Sequence, residues 1–347
     1  MESTENSSTL SFSDFEKKTR PVFIFGPARS GTTLTFNVMK FHPQVSKLAQ
    51  DTYFFEHFWR VRKKIPIKVQ CKILFWTCNL AHVPPKSSSG ELERDKELQK
   101  TLLSYLKEGD PVTIFNFISY ISYVRNTDNH NAVTWWAERT NNHLYYYQTL
   151  KKWFPLCKFI FCIRDPRAVI ASALGAHKMR GDCWSSESDY CADSAIDWGR
   201  EGRIALEMKR TFKDDVFVSK YESFVDAPIN HINNMWRFLE LPEMSESELS
   251  EKIDGLGQIY ISKTGVKRPA GIDTKSVARW KELLLPSDIM MIEDITKEVA
   301  EKFGYKFENN KVSITFYMKI FPGDSFRMYI KRIVKIFIFI LSPFRIY

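Results

Sequence analysis

The segment "VFIFGPARSGTTL", residues 22–34, has the residue types of an anion-binding loop. Gly26 and Gly31 allow tight turns and close approach of the backbone to a ligand. If a helix starts after Gly31, the amides of Ser30, Gly31, Thr32 and Thr33 lie at its N-terminus, where the dipole favours negative charge. Thr32 and Thr33 add hydroxyl donors, and Arg29 adds a planar cation that suits phosphate or sulfate oxygens. A nucleotide triphosphate loop would place Lys at position 32 and a magnesium-binding Ser or Thr after it. Here position 32 is Thr and the cation comes earlier. A plain capped helix start is the competing reading.

A second anion site is written in "KFIFCIRDPRAVIASAL". Arg164 ends an apolar run, and Pro166 suits a first helical turn. Ser172 follows Arg164 by eight residues, nearly two turns along such a helix, so the two could share an anion. The alternative is a structural Arg164–Asp165 pair with Ser172 on a solvated face.

These loops need a scaffold. Strand, loop and helix recur over 22–40, 158–175 and 216–239, which predicts an α/β domain with a mainly parallel sheet flanked by helices. Its ligand site should lie beyond the carboxyl ends of the strands. Residues 51–83 read as aromatic, basic and mostly helical, and 91–108 and 142–154 as helices. "PVTIFNFISYI" fits a strand or a buried helix. Residues 176–197, polar with Gly and Ser, read as a lid over an acceptor. The domain is expected over 21–305, preceded by a disordered polar segment (1–20) and followed by a basic, apolar extension (306–347).

The chain has 347 residues, 44% of them apolar, and a net charge of +9. No zinc-finger, RNP-like or helix-turn-helix pattern accompanies that charge, so nucleic acid is not an expected partner. Six cysteines form no CxxC or zinc spacing, and no metal is expected. Cys183 and Cys191 could pair, but the first residues lack a signal-peptide pattern, and a reducing cytoplasmic location is the expectation. In "FRMYIKRIVKIFIFILSPFRIY" the apolar run 336–341 is too short to span a bilayer. Phe326, Ile330, Ile333 and Phe337 with Arg327, Lys331, Arg332 and Lys335 fit an interfacial helix, hence peripheral membrane contact.

"GPARSGTT", followed about 130 residues later by "RDPRAVIAS", resembles the sulfotransferases that use 3′-phosphoadenylyl sulfate (PAPS). "WAERTNNHLYYYQTLKKWFP" and "KYESFVDAP" resemble two further segments of that family, in order and spacing from about residue 20 to 240. The resemblance implies a P-loop-like sulfotransferase fold and transfer of a sulfuryl group from PAPS to a hydroxyl, or an amine, of a saccharide or small-molecule acceptor, with PAP as product. Family members need no magnesium, which accounts for the missing lysine. By resemblance, Arg29, Ser30, Gly31, Thr32 and Thr33 hold the 5′ end of the cofactor, and Arg164 and Ser172 hold its 3′-phosphate. Tyr221 lies against the adenosine, and Ser276 in "TKSVARW" lies near the cofactor.

For the base, the resemblance leaves two candidates. "QDTYFFE" puts Asp51 where the glycan-modifying branch has a Glu, with Gln50 and Glu56 as neighbours under a shifted alignment. His143 is the rival, since the small-molecule branch uses a His near this segment. Asp51 as a helix cap and His143 as a structural residue are the bland readings. Arg139 stands at the lysine of the family's E-K-T-P, and Asn141 at its proline. Two other classes stay open: a P-loop kinase or NTPase, and an inactive PAPS-binding relative.

Overall fold

The computed structural model describes residues 9–48, 51–79, 89–126, 132–180, 187–256 and 272–307. Five parallel strands form one sheet: β1 (Arg20–Phe25), β2 (Val45–Lys47), β3 (Trp135–Glu138), β4 (Lys158–Ile163) and β5 (Val216–Lys220). Their spatial order is β2-β3-β1-β4-β5. The order reverses around β1, so the crevice at its carboxyl end is flanked by the loops after β3 and β4.

The strands read as unbroken apolar runs because both faces are covered. Side chains alternate between two cores. Phe23, Phe25, Trp136, Phe159 and Phe161 point to one face. It is covered by α1 (Phe12–Lys18), α5 (Pro111–Asn126), α6 (Tyr147–Trp153), α8 (Glu187–Phe212) and α13 (Pro286–Lys302). Val22, Ile24, Trp135, Ala137 and Ile160 point to the other. There they meet α2 (Thr32–Met39), α10 (Pro228–Phe238) and α11 (Glu246–Asp254). Between these come α3 (Ile67–Asn79), α4 (Ser89–Glu108), α7 (Pro166–Arg180), α9 (Tyr221–Asp226) and the short α12 (Trp280–Leu283).

Two expectations change, and one open reading is resolved. Within the N-terminal segment expected to be disordered, residues 12–18 form α1, capped by Ser11 and anchored by a fully buried Phe15. The ambiguous "PVTIFNFISYI" is helix α5, started by Pro111 and by an Asp110 carboxylate that accepts from the Thr113 amide at 2.8 Å. The expected lid is, from residue 187 onward, the first turns of α8. Its Tyr190, Cys191, Ala192 and Ala195 are buried in a core with Ile170 and Leu174 of α7 and Met291 and Ile292 of α13.

Cys191, Cys157 and Cys162 are buried free thiols, each pushed up to about 12 by burial. Cys183, Gln50 and the C-terminal residues 308–347, with the expected interfacial helix, lie outside the described residues. No helix among the described residues is long and apolar enough to cross a membrane.

Candidate active site

The loop after β1 turns sharply because its backbone must. Gly26 has φ +152°, and a side chain there would drive into the carbonyl oxygen of Cys162 on β4. Arg29 (φ 74°) and Gly31 (φ 92°) also lie in the left-handed region. A Cβ on Gly31 would come within 2.8 Å of Cδ2 of Tyr221, so the tyrosine ring rests directly on the loop. No side chain caps α2, which leaves its first amides facing the crevice. Ser30 is 1% exposed, and its Oγ has no hydrogen-bond partner. A buried hydroxyl left in this way has capacity for a water or a ligand atom.

Beside the loop lie the residues of the second anion site expected from the sequence. Arg164 follows β4 and is almost fully buried. Its guanidinium donates to the carbonyl oxygens of Ser276 (2.6 Å) and Arg29 (3.3 Å) and lies 4.3 Å from the centroid of the Tyr221 ring. Tyr221 and Ser276 share a hydroxyl–hydroxyl bond of 2.8 Å. Arg29 turns toward this side: its Nε donates to Ser172 Oγ at 3.0 Å. Arg29, Arg164, Ser172, Tyr221 and Ser276 therefore form one cluster, and Arg29 links it to the glycine loop. The sequence reading separated Arg29 from Ser172; the structure joins them.

Asp165 is not the partner of Arg164. It takes a fork of bonds from Arg167, at 3.0 and 2.6 Å, and Arg167 also donates to Glu293 of α13 at 2.6 Å. Trp198 of α8 donates from Nε1 to the Arg164 carbonyl at 3.1 Å, which pins the end of β4 from the other side. Trp198 carried no signal in the sequence, since only the placement of α8 brings it here.

The third group lies at the ends of β2 and β3. Arg139 donates from Nε to Asp51 Oδ1 at 2.9 Å and from one terminal nitrogen to the same oxygen. Its other terminal nitrogen donates to Thr33 Oγ1 of the glycine loop. Tyr53 donates its hydroxyl to Asp51 Oδ2 at 3.5 Å, and burial, followed by the Asp51 charge, pushes the phenol up. Asp51 retains 20% side-chain exposure.

His143, the rival for the base, is 0% exposed. Its Nδ1 meets Glu138 Oε2 at 3.0 Å, and the ring is walled edge-on by Phe55 and Phe115. A general base must come within hydrogen-bonding reach of its proton; here the His143 ring is fully buried, with Nδ1 on Glu138. Glu138 also accepts from Thr52 Oγ1 (3.0 Å) and Thr140 Oγ1. Burial alone would raise its carboxyl, but the His143 charge and these bonds hold it below the usual carboxylate range. The Thr52 amide in turn donates to Thr140 Oγ1 at 2.9 Å, so this network also fixes the loop after β2 that carries Asp51. Glu56 lies in the π-helical turn Phe54–Trp59 with Oε2 buried, away from this cluster's bonds.

The family model described as "Sulfotransferase family" matches residues 21–246, which span all three groups except Ser276. The chain belongs to the sulfotransferase family. Among curated sulfotransferases it is similar to carbohydrate sulfotransferase 3 of Tetronarce californica, with 21% identity over 180 residues, 45% of this chain. The match covers 38% of that relative's length. Two solved structures share the P-loop-like sulfotransferase fold. The sulfotransferase domain of a Synechococcus olefin synthase has a TM-score of 0.54 at 19% identity, over 84% of this chain and 96% of the domain. The sulfotransferase domain of the curacin biosynthetic pathway has a TM-score of 0.54 at 15% identity, over 86% and 100%. Among the described residues of this sulfotransferase no group of His, Cys, Asp and Glu side chains could hold a metal ion.

Proposed function

We propose that this sulfotransferase transfers a sulfuryl group from PAPS to a hydroxyl of a saccharide or small-metabolite acceptor, with Asp51 as general base. The observation that carries the reading is the Arg139 guanidinium, which bonds both Asp51 and Thr33 of the glycine loop. It puts a proton acceptor and a cation at the edge of an anion-binding loop.

The residues present fit PAPS. The buried, unpartnered Ser30 Oγ and the uncapped start of α2 suit its 5′ end. Arg164, Arg29 and Ser172 suit a second anionic group, the 3′-phosphate. Tyr221, buried against Gly31 and under Arg164, braces the two anion-binding groups against each other. When bound, PAPS supplies a sulfuryl group activated by its link to phosphate. Asp51 takes the acceptor's proton as the acceptor oxygen engages sulfur. Arg139 and the loop hydroxyls meet the charge that gathers on the departing phosphate oxygen. A kinase reading lacks its lysine at position 32.

Calorimetric titration with PAP and, separately, with ATP and magnesium tests the cofactor class. PAP should bind with no metal requirement and ATP much more weakly; tight ATP binding with magnesium-dependent turnover would sink the proposal. Arg164→Ala should weaken PAP by roughly 10–150-fold, the equivalent of losing about 1.5–3 kcal/mol of charge-assisted hydrogen bonding. It should spare adenosine 5′-phosphosulfate, which lacks the 3′-phosphate. Because Arg164 also bonds Ser276 and Arg29, the ratio of the two losses is the measurement that counts. Equal losses reject the assignment.

A further inference from the structure

The chain carries no acidic residue between Glu56 and Glu91, and six cations fall within residues 60–72. Arg62 folds inward, its guanidinium 3.3 Å from the centroid of the Trp59 ring. Arg60, Lys63, Lys64, Lys68 and Lys72 are exposed, and among the described residues none of them meets a carboxylate at ion-pairing distance. Lys68 and Lys72 lie four apart on α3, where like charges repel and lower helix stability. An array of this kind works against its own fold unless a partner of opposite charge uses it.

We propose that the ridge formed by Arg60, Lys63, Lys64, Lys68 and Lys72 is a docking track for an anionic acceptor, an oligosaccharide bearing carboxylate or sulfate groups. The inference rests on Asp51 as the base of the proposed transfer, because the ridge begins nine residues beyond it. The π-helical turn Phe54–Trp59 forms most of that connection, and a helical path is much shorter than the roughly 30 Å that nine extended residues would span. The first cation thus lies within a few sugar units of the site where the proton would be taken.

A lipid surface fits the stretch less well. Interfacial segments bury an apolar face in the bilayer. Here Ile67 packs on the protein's own core, and Val69 is the one large apolar side chain of the stretch that is exposed, at 43%. Fixed cations without an apolar face suit a hydrated polyanion.

The test compares the full chain with the variant K63A/K64A/K68A/K72A, with PAP bound in both. The probes are a size-defined oligogalacturonate, a neutral dextran oligosaccharide of the same length, and phosphatidylserine-containing vesicles. The ridge variant should bind PAP like the parent, which shows an intact fold and cofactor site. It should lose at least about tenfold in oligogalacturonate affinity, since four exposed charge contacts are removed, and the salt dependence of binding should become shallower. Oligogalacturonate should also outcompete dextran on the parent chain. Equal affinity for the two saccharides, unchanged oligogalacturonate binding by the variant, or ridge-dependent binding to vesicles alone would each overturn the proposal. Failure of the parent to bind PAP would instead strike the cofactor reading.

Discussion

Asp51→Asn should retain PAP affinity and lose turnover by about 10²–10⁴-fold, the usual loss when a general base is removed. The substitution is nearly isosteric, and the amide oxygen can still accept from Arg139. The Arg139–Thr33 bond has no need of the lost charge, so the glycine loop should keep its shape. Asp51 and Arg139 are both partly open to solvent, so the ion pair contributes modestly to stability and its loss should leave the fold intact. PAP binding by calorimetry and single-turnover transfer separate the effects. Near-normal transfer by Asp51→Asn would remove it as the base. A parallel loss of PAP affinity would make it a cofactor-positioning residue.

The glycine loop and the Arg164–Ser172 segment are legible in the sequence because their pattern is local. Two glycines, an arginine and two threonines in one stretch, and Arg164 before α7 with Ser172 on it, each make sense within a few residues. The parallel sheet was legible for a similar reason, since strands covered on both faces are apolar throughout. What stayed hidden depends on tertiary contact. Arg29 reaches Ser172 across 143 positions of sequence, and no spacing rule relates them. The first turns of helix α8 suggest a lid because they are polar in composition. Its buried stripe of Tyr190, Cys191, Ala192 and Ala195 matters only once α7 and α13 pack on it. The choice between Asp51 and His143 was open for the same reason. Both carry suitable chemistry, and they differ in burial, which only the tertiary structure shows. Glu138 shows how strand alternation settles such a case: it sits two residues beyond Trp136 on β3, so its carboxylate enters the aromatic core and requires a buried partner.

That partnership gives a second large effect. His143→Ala should destabilise the protein by about 3–5 kcal/mol, because it leaves the Glu138 carboxylate buried without the imidazole that meets its Oε2. The melting temperature should fall by roughly 5–15 °C. The double variant Glu138→Gln/His143→Ala should regain part of this loss, since the amide oxygen can still accept from Thr52 and Thr140 and no charge remains buried. The pH dependence carries its own signature. Folding holds the Glu138 carboxyl below its ordinary value of 4.5. The stability it contributes is therefore fully present above that value and is lost as pH falls through the lower folded value. The parent should show this acid-side loss, and Glu138→Gln should lack it. If His143 were instead the base, His143→Ala would abolish transfer at an unchanged melting temperature. In the arrangement seen here, protein that remains folded at low temperature should keep much of its turnover, because Asp51, Arg139 and Thr33 make no contact with the lost imidazole except through the Glu138–Thr140–Thr52 chain.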